Sequence, residues 1–254
     1  MRLKLTLEHR PAAGVPIDYP YLISAWIYRT IGEANSEFAR WLHEQGYRYG
    51  GRKYKLFTYG PLQPMRYRID KGEFILSEGP TELIMSFHLE EAVERLVTGL
   101  FLNQHFSLGD RVRRADFSVR SMEVLSKPAF ANTMRFRTLT PLCISQDEPG
   151  ERYAQYRHPE DEGYGELLLQ NLVRKRLSIA EQTLEAFETS KVSDYHFKLL
   201  SAPRSKLFRI KGTQVRGHLY DFEISAPVDL LKLGYFAGFG EKNSSLGMGC
   251  VDIV

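Results

Sequence analysis

Gly234-Tyr235-Phe236-Ala237-Gly238-Phe239-Gly240-Glu241-Lys242-Asn243-Ser244-Ser245-Leu246-Gly247-Met248-Gly249 sets two Gly-hydrophobic-Gly triplets around a polar loop. Paired glycines let a backbone bend sharply and bring its amide N–H groups close to a phosphate. Lys242 adds a positive charge in the middle. The same spacing also suits a tight hairpin between a helix and a last strand. It does not make a P-loop, since no Gly-Lys-Ser/Thr follows a glycine at the required distance. Nor is it a dinucleotide fingerprint, because it comes after a helix pattern and not after a strand.

Outward from this segment the chain reads as alternating strands and helices. Just upstream, Pro227 can occupy the first turn of a helix carrying Val228, Leu230, Leu231 and Leu233. Downstream, Gly249–Val254 reads as a closing strand. Further back, Met134–Ile144 reads as a strand and Glu166–Leu177 as a helix, and Phe208–Ile210 and Leu219–Ile224 read as strands. The first half repeats this order. Leu3, Leu5 and Leu7 alternate with polar residues in a first strand, then Ile23, Trp26, Ile27, Thr30 and Ile31 follow helical spacing from Tyr19 to a stop at Gly32. Asn35 or Ser36 can cap a second helix with Phe38, Trp41 and Leu42, ending at Gly46. Strands follow at Leu56–Tyr59, Arg66–Asp70, Glu73–Leu76 and Leu83–Phe87, with Asp70-Lys71-Gly72 as a hairpin turn. A helix from Leu89 to Phe101 and a strand over Arg111–Val124 complete the half. The expected architecture is α+β: two tandem ferredoxin-like βαββαβ domains, 1–126 and 127–254, joined near Ser126-Lys127-Pro128.

Composition bounds the function classes. With 43% hydrophobic and 26% charged residues, 254 residues can bury a core without staples. Cys143 and Cys250 match no CxxC pattern, which speaks against a disulfide framework or a cysteine-rich zinc site. No apolar run is long enough to span a bilayer, and the N-terminus reads as a strand and not as a signal peptide. A cytoplasmic protein without a membrane partner is therefore expected. Net charge is only +3, so the placement of the cations matters more than their sum.

Basic residues interleave with aromatics in three places: Tyr47-Arg48-Tyr49 through Arg52-Lys53-Tyr54-Lys55; Arg111, Arg113, Arg114 and Arg120; and Arg204, Lys206, Arg209, Lys211 and Arg216. Cations meet phosphates and rings stack on unpaired bases, so such mixtures suit RNA, although each cluster alone also suits a solvated face. His43 and Tyr28 lie beside the apolar faces of adjacent short helices, and a helix hairpin could bring them towards one groove. Histidine exchanges protons near neutral pH, and Lys55, before a strand, could stabilise charge on a phosphate. His9, His88, His105, His158, His196 and His218 read as structural or solvated. No two histidines sit at ligand spacing, so neither a metal nor another cofactor is expected.

The phrase Ala237-Gly238-Phe-Gly240-Glu-Lys-Asn-Ser-Ser and the closing Gly247-Met-Gly249 resemble the C-terminal glycine-rich signature of the RAMP superfamily of CRISPR proteins. Ile27-Tyr28, Leu42-His43-Glu44, Lys55-Leu56-Phe57-Thr58-Tyr59 and Thr138-Leu-Thr-Pro141 are similar, in order, to the branch that processes precursor CRISPR RNA. The resemblance implies two ferredoxin-like domains and metal-independent cleavage within the repeat. A ribose 2′-hydroxyl attacks the adjacent phosphate, leaving a 2′,3′-cyclic phosphate and a 5′-hydroxyl. Carried over by motif, His43 is the general acid/base, Tyr28 positions or protonates, and Lys55 steadies the phosphorane, with Lys53 a competitor for that role. Gly238, Gly240, Lys242, Gly247 and Gly249 would form the RNA-binding loop. The implied partner is CRISPR repeat RNA, with other effector-complex proteins and a homodimer as further associations. The alternative is a non-cleaving RNA-binding subunit of an effector complex, which would have no reason to hold the Tyr28, His43, Lys55 set.

Overall fold

The computed structural model describes residues 1–110, 114–146, 155–183, 195–210, 213–241 and 244–254. Alternation in the first strand, Arg2–His9, turns Leu3, Leu5 and Leu7 inward, where none is exposed. Burying each such leucine contributes about 1.5–3 kcal/mol. Around that strand the first sheet is antiparallel, in the order His105–Gly109, Arg114–Val124, Arg2–His9, Thr81–Phe87, Phe57–Tyr59. Helices α1 (Pro20–Ala34) and α3 (Glu90–Leu102) cover one face and bury Ile23, Trp26, Ile27, Ile31, Val93 and Leu96 in the first core.

The second sheet runs His196–Leu199, Asp221–Ser225, Thr133–Thr138, Val251–Ile253, again antiparallel. Helices α4 (Tyr164–Thr183) and α5 (Val228–Ala237) supply Leu168, Leu172, Leu230 and Leu231 to its core, with Phe136 and Phe222 from the strands. Setting aside the added hairpin strand His105–Gly109, both sheets have the 4-1-3-2 order of a ferredoxin-like βαββαβ unit.

Several boundaries differ from expectation, each for a local reason. Helix α1 passes through Gly32 and ends at Ala34, because Asn35 supplies the boundary: its side chain accepts from the Phe38 amide at 2.9 Å and caps α2 (Ser36–Glu44). Met134–Ile144 is not one strand. Pairing stops at Thr138, and Pro141, which has no N–H to give a ladder, lies in a segment that wraps the glycine-rich tail. Pro227 is the cap before α5 and not part of its first turn. Leu219 closes a separate hairpin, Arg204–Ile210 with Thr213–Leu219, and the next strand begins at Asp221. The Asp70-Lys71-Gly72 turn is as expected: Asp70 pairs Glu73, and Lys71 and Gly72 both have positive φ, 44° and 80°. One short hairpin, Tyr47–Tyr49 with Arg52–Tyr54, and one long-range pairing of short strands, Gly14–Pro16 with Glu73–Leu76, were not foreseen. Arg111 and Arg113 of the second basic cluster, Lys211 of the third and Lys242 of the tail lie outside the described residues. Among the described residues no helix is long and apolar enough to cross a membrane.

Candidate active site

Residues of the N-terminal half converge at the C-terminal end of α2. A helix leaves its last carbonyls without intrahelical partners, and its dipole favours cations there. Two lysines answer that demand. Lys55 Nζ donates to the His43 carbonyl at 2.6 Å, and Lys53 Nζ donates to the Glu44 carbonyl at 2.8 Å. Gly46, at φ +59°, makes the return possible, since a Cβ there would meet the Tyr54 carbonyl at 2.6 Å and the Lys55 ammonium at 3.2 Å. Of the two competing lysines, the half-buried Lys55 is held against His43 itself and the exposed Lys53 against the next residue.

The exposed His43 ring meets Tyr28 of α1 edge to face, centroids 4.9 Å apart and planes at 86°. Tyr28 packs on its other side against Phe57 at 5.7 Å. Burial pushes the Tyr28 phenol well above its ordinary range, opposed by a hydrogen bond to the Ser245 side chain. The hydroxyl therefore keeps its proton at neutral pH. Burial also lowers the Lys55 ammonium to about 8, and the cations of Lys53 and Arg48 push in the same direction. Tyr28, His43 and Lys55 thus come from α1, α2 and the approach to the strand Phe57–Tyr59 into one cluster.

The glycine-rich tail packs against that cluster from behind. Gly238, Gly240, Gly247 and Gly249 are all buried and all have positive φ. Phe239 plugs into the second core against Phe136 and Phe222, at 5.0 and 5.4 Å. Gly247 lies against the Tyr59 ring, where a Cβ would come within 2.4 Å, and Thr58 Oγ1 donates to the Met248 carbonyl at 2.9 Å. The tail is thereby fastened to the first sheet and presents Ser245, in the short turn Ser244–Leu246, to Tyr28.

Four further residues fix this loop, Lys175, Glu241, Arg52 and Ser145, a role that sequence reasoning assigned to none of them. Lys175 on α4 is fully buried and donates to the Gly238 and Gly240 carbonyls at 2.5 and 3.0 Å, and burial lowers its ammonium to about 7. The buried Glu241 carboxylate accepts from Arg52 of the N-terminal hairpin, and from the amide and hydroxyl of Ser145 at 3.0 Å each. Glu241 and Ser245 stood inside a phrase already singled out, but their partners are far away in the chain. Among the described residues no three His, Cys, Asp or Glu side chains gather as a metal site.

Tandem ferredoxin-like units, with a glycine-rich tail of the second pressed against the first, define a protein of the RAMP class. Two family models divide the chain, that for the N-terminal part of the CRISPR-associated protein Cas6 over residues 14–123 and that for its C-terminal part over 125–253, so the chain belongs to the Cas6 family. It is 30% identical to the CRISPR-associated endoribonuclease Cas6 of Pyrococcus furiosus, over 99% of this chain and 88% of that relative. To the CRISPR-associated endoribonuclease Cas6 1 of Methanocaldococcus jannaschii it is 28% identical, over 99% and 92%. A solved structure for a Cas6-related gene from Pyrococcus furiosus superposes with a TM-score of 0.82 at 22% identity, covering 100% of this chain and 98% of that one.

Proposed function

We propose that the chain is a metal-independent endoribonuclease that cuts CRISPR precursor RNA within the repeat. The observation that carries this is the meeting of Tyr28, His43 and Lys55 from three separate elements. In-line attack by a 2′-hydroxyl needs a base for the attacking oxygen, an acid for the leaving 5′-oxygen, and fixed positive charge for the oxygens between. His43 exchanges the protons. Tyr28, held neutral by burial, donates a hydrogen bond or a proton from a fixed position. Lys55 stabilises the phosphorane. The products are a 2′,3′-cyclic phosphate and a 5′-hydroxyl. The unit over residues 1–126 carries the reacting groups. The unit over 127–254 brings the glycine-rich tail, whose buried glycines serve the RNA site by shaping the wall behind the reacting groups and holding Ser245 against Tyr28.

The test is repeat RNA incubated in EDTA with wild type or His43→Ala. Wild type is expected to cut, and His43→Ala to be slower by about 10²–10⁴-fold. Replacing the 2′-hydroxyl at the cut site with hydrogen is expected to abolish the product. Cutting by His43→Ala at the wild-type rate would refute the assignment. Tight binding without any product from wild type would mean the non-cleaving subunit instead.

A further inference from the structure

The hairpin Tyr47–Tyr49 with Arg52–Tyr54 carries a feature that stability alone would remove. Its register sets Arg48 directly across from Lys53, both exposed on the same face. Like charges facing each other across a ladder are destabilising. Lys55 follows on the same chain, and both Arg48 and Lys53 repel its ammonium. Among the described residues Arg48 has no ion pair or hydrogen bond, and Lys53 bonds only to a main-chain oxygen. Some exposed arginines elsewhere are neutralised, Arg114 by Asp116 at 2.8 Å, Arg120 by Glu8 at 3.3 Å, Arg135 by Glu223 at 2.8 Å and Arg137 by Asp221 at 2.9 Å. Among the described residues Arg29, Arg40, Arg66 and Arg204 are exposed without an acid as well, so what sets Arg48 apart is the cation directly opposite it.

The rest of the hairpin is anchored. Tyr47, Tyr49 and Tyr54 pack with Ile179, Leu233 and Ala237 of the second unit, and Arg52 reaches Glu241. Lys53 and Lys55 are thus held at the last carbonyls of α2, Lys55 on His43 itself, with Arg48 across from Lys53, and among the described residues no acid pairs with any of the three. We propose that the Arg48–Lys53 face is a phosphate-binding subsite that grips the RNA backbone next to the link being cut, an inference that rests on the endoribonuclease function above. An RNA backbone supplies the negative charge that this face lacks, and binding relieves the repulsion that the free protein tolerates.

The experiment measures repeat-RNA affinity across a salt series for Arg48→Gln/Lys53→Gln in a His43→Ala background, beside Arg135→Gln/Arg137→Gln as a matched loss of two charges. The hairpin pair is expected to weaken binding roughly tenfold and to lower the slope of log affinity against log salt by about 1.4, at about 0.7 per phosphate contact. The control pair is expected to change neither. Thermal melting adds a sign: Arg48→Gln alone, which ends the like-charge contact and leaves Lys53 on the Glu44 carbonyl, should leave Tm unchanged or raise it, while RNA affinity falls. If the double variant melts lower, Arg48→Glu replaces it, since an opposite charge facing Lys53 supports the hairpin, and the same loss of affinity and slope is expected. Unchanged affinity and slope in a folded variant, or equal losses from both pairs, would overturn the subsite while leaving the nuclease intact. A wild type that neither binds nor cuts repeat RNA would bring down both.

Discussion

Lys55 donates its ammonium to the main-chain oxygen of His43 at 2.6 Å, so the cation and the imidazole are fixed to the same residue. The contact caps α2, and it also ties the charge proposed to stabilise the phosphorane to the proposed acid/base. Whatever disturbs this cap disturbs both.

Gly46→Ala tests that link. A residue with a Cβ costs about 1–2 kcal/mol in the left-handed region, and here the Cβ would also strike the Tyr54 carbonyl at 2.6 Å. The expected outcome is a lower Tm together with cleavage slowed at least tenfold, measured by thermal melting and single-turnover kinetics. Cleavage at the wild-type rate would show that the Lys55 cap does not matter to the reaction.

The Lys55 ammonium should set the alkaline limit of the reaction. Its proton is lost near pH 8, below the ordinary lysine range. The charged form is therefore full below that value and gone above it, and kcat/KM should fall as pH rises through about 8. In Lys53→Gln one repelling cation is removed, so Lys55 holds its proton to higher pH and the limb should move upward. A limb that stays put would assign it to another group.

Ser245→Ala removes the hydroxyl that meets Tyr28 from the second unit. A lost hydrogen bond of about 1 kcal/mol corresponds to cleavage slowed about fivefold. Affinity for repeat RNA should be unchanged, because binding uses the charges elsewhere. A matching loss of affinity would place Ser245 on the RNA instead.

Lys175 links stability to pH. Its folded value of about 7 lies below the ordinary lysine value of 10.5 that the unfolded chain restores. Between these values the unfolded state binds the extra proton, so stability rises with pH from about 7 to about 10. In Lys175→Met that slope should disappear from denaturant curves taken across the range. At pH 9 the variant should be the less stable protein, because the Gly238 and Gly240 carbonyls lose a buried donor, at about 1–3 kcal/mol. An unaltered slope would mean that another group is responsible.

Local patterning was enough to declare the elements and to mark out the candidate side chains. Leu3, Leu5 and Leu7 declare a half-buried strand, and the Ile23 to Ile31 pattern declares a helix, because period 2 and period 3.6 depend only on near neighbours. His43, Tyr28 and Lys55 were legible from their phrases. Tertiary structure alone decided what those residues touch. Arg52 and Glu241 are separated by 189 positions, and Lys175 meets Gly238 across 63. No local pattern encodes either contact. Each arises because a buried charge or carbonyl must find a partner once the two units have excluded water from the seam between them.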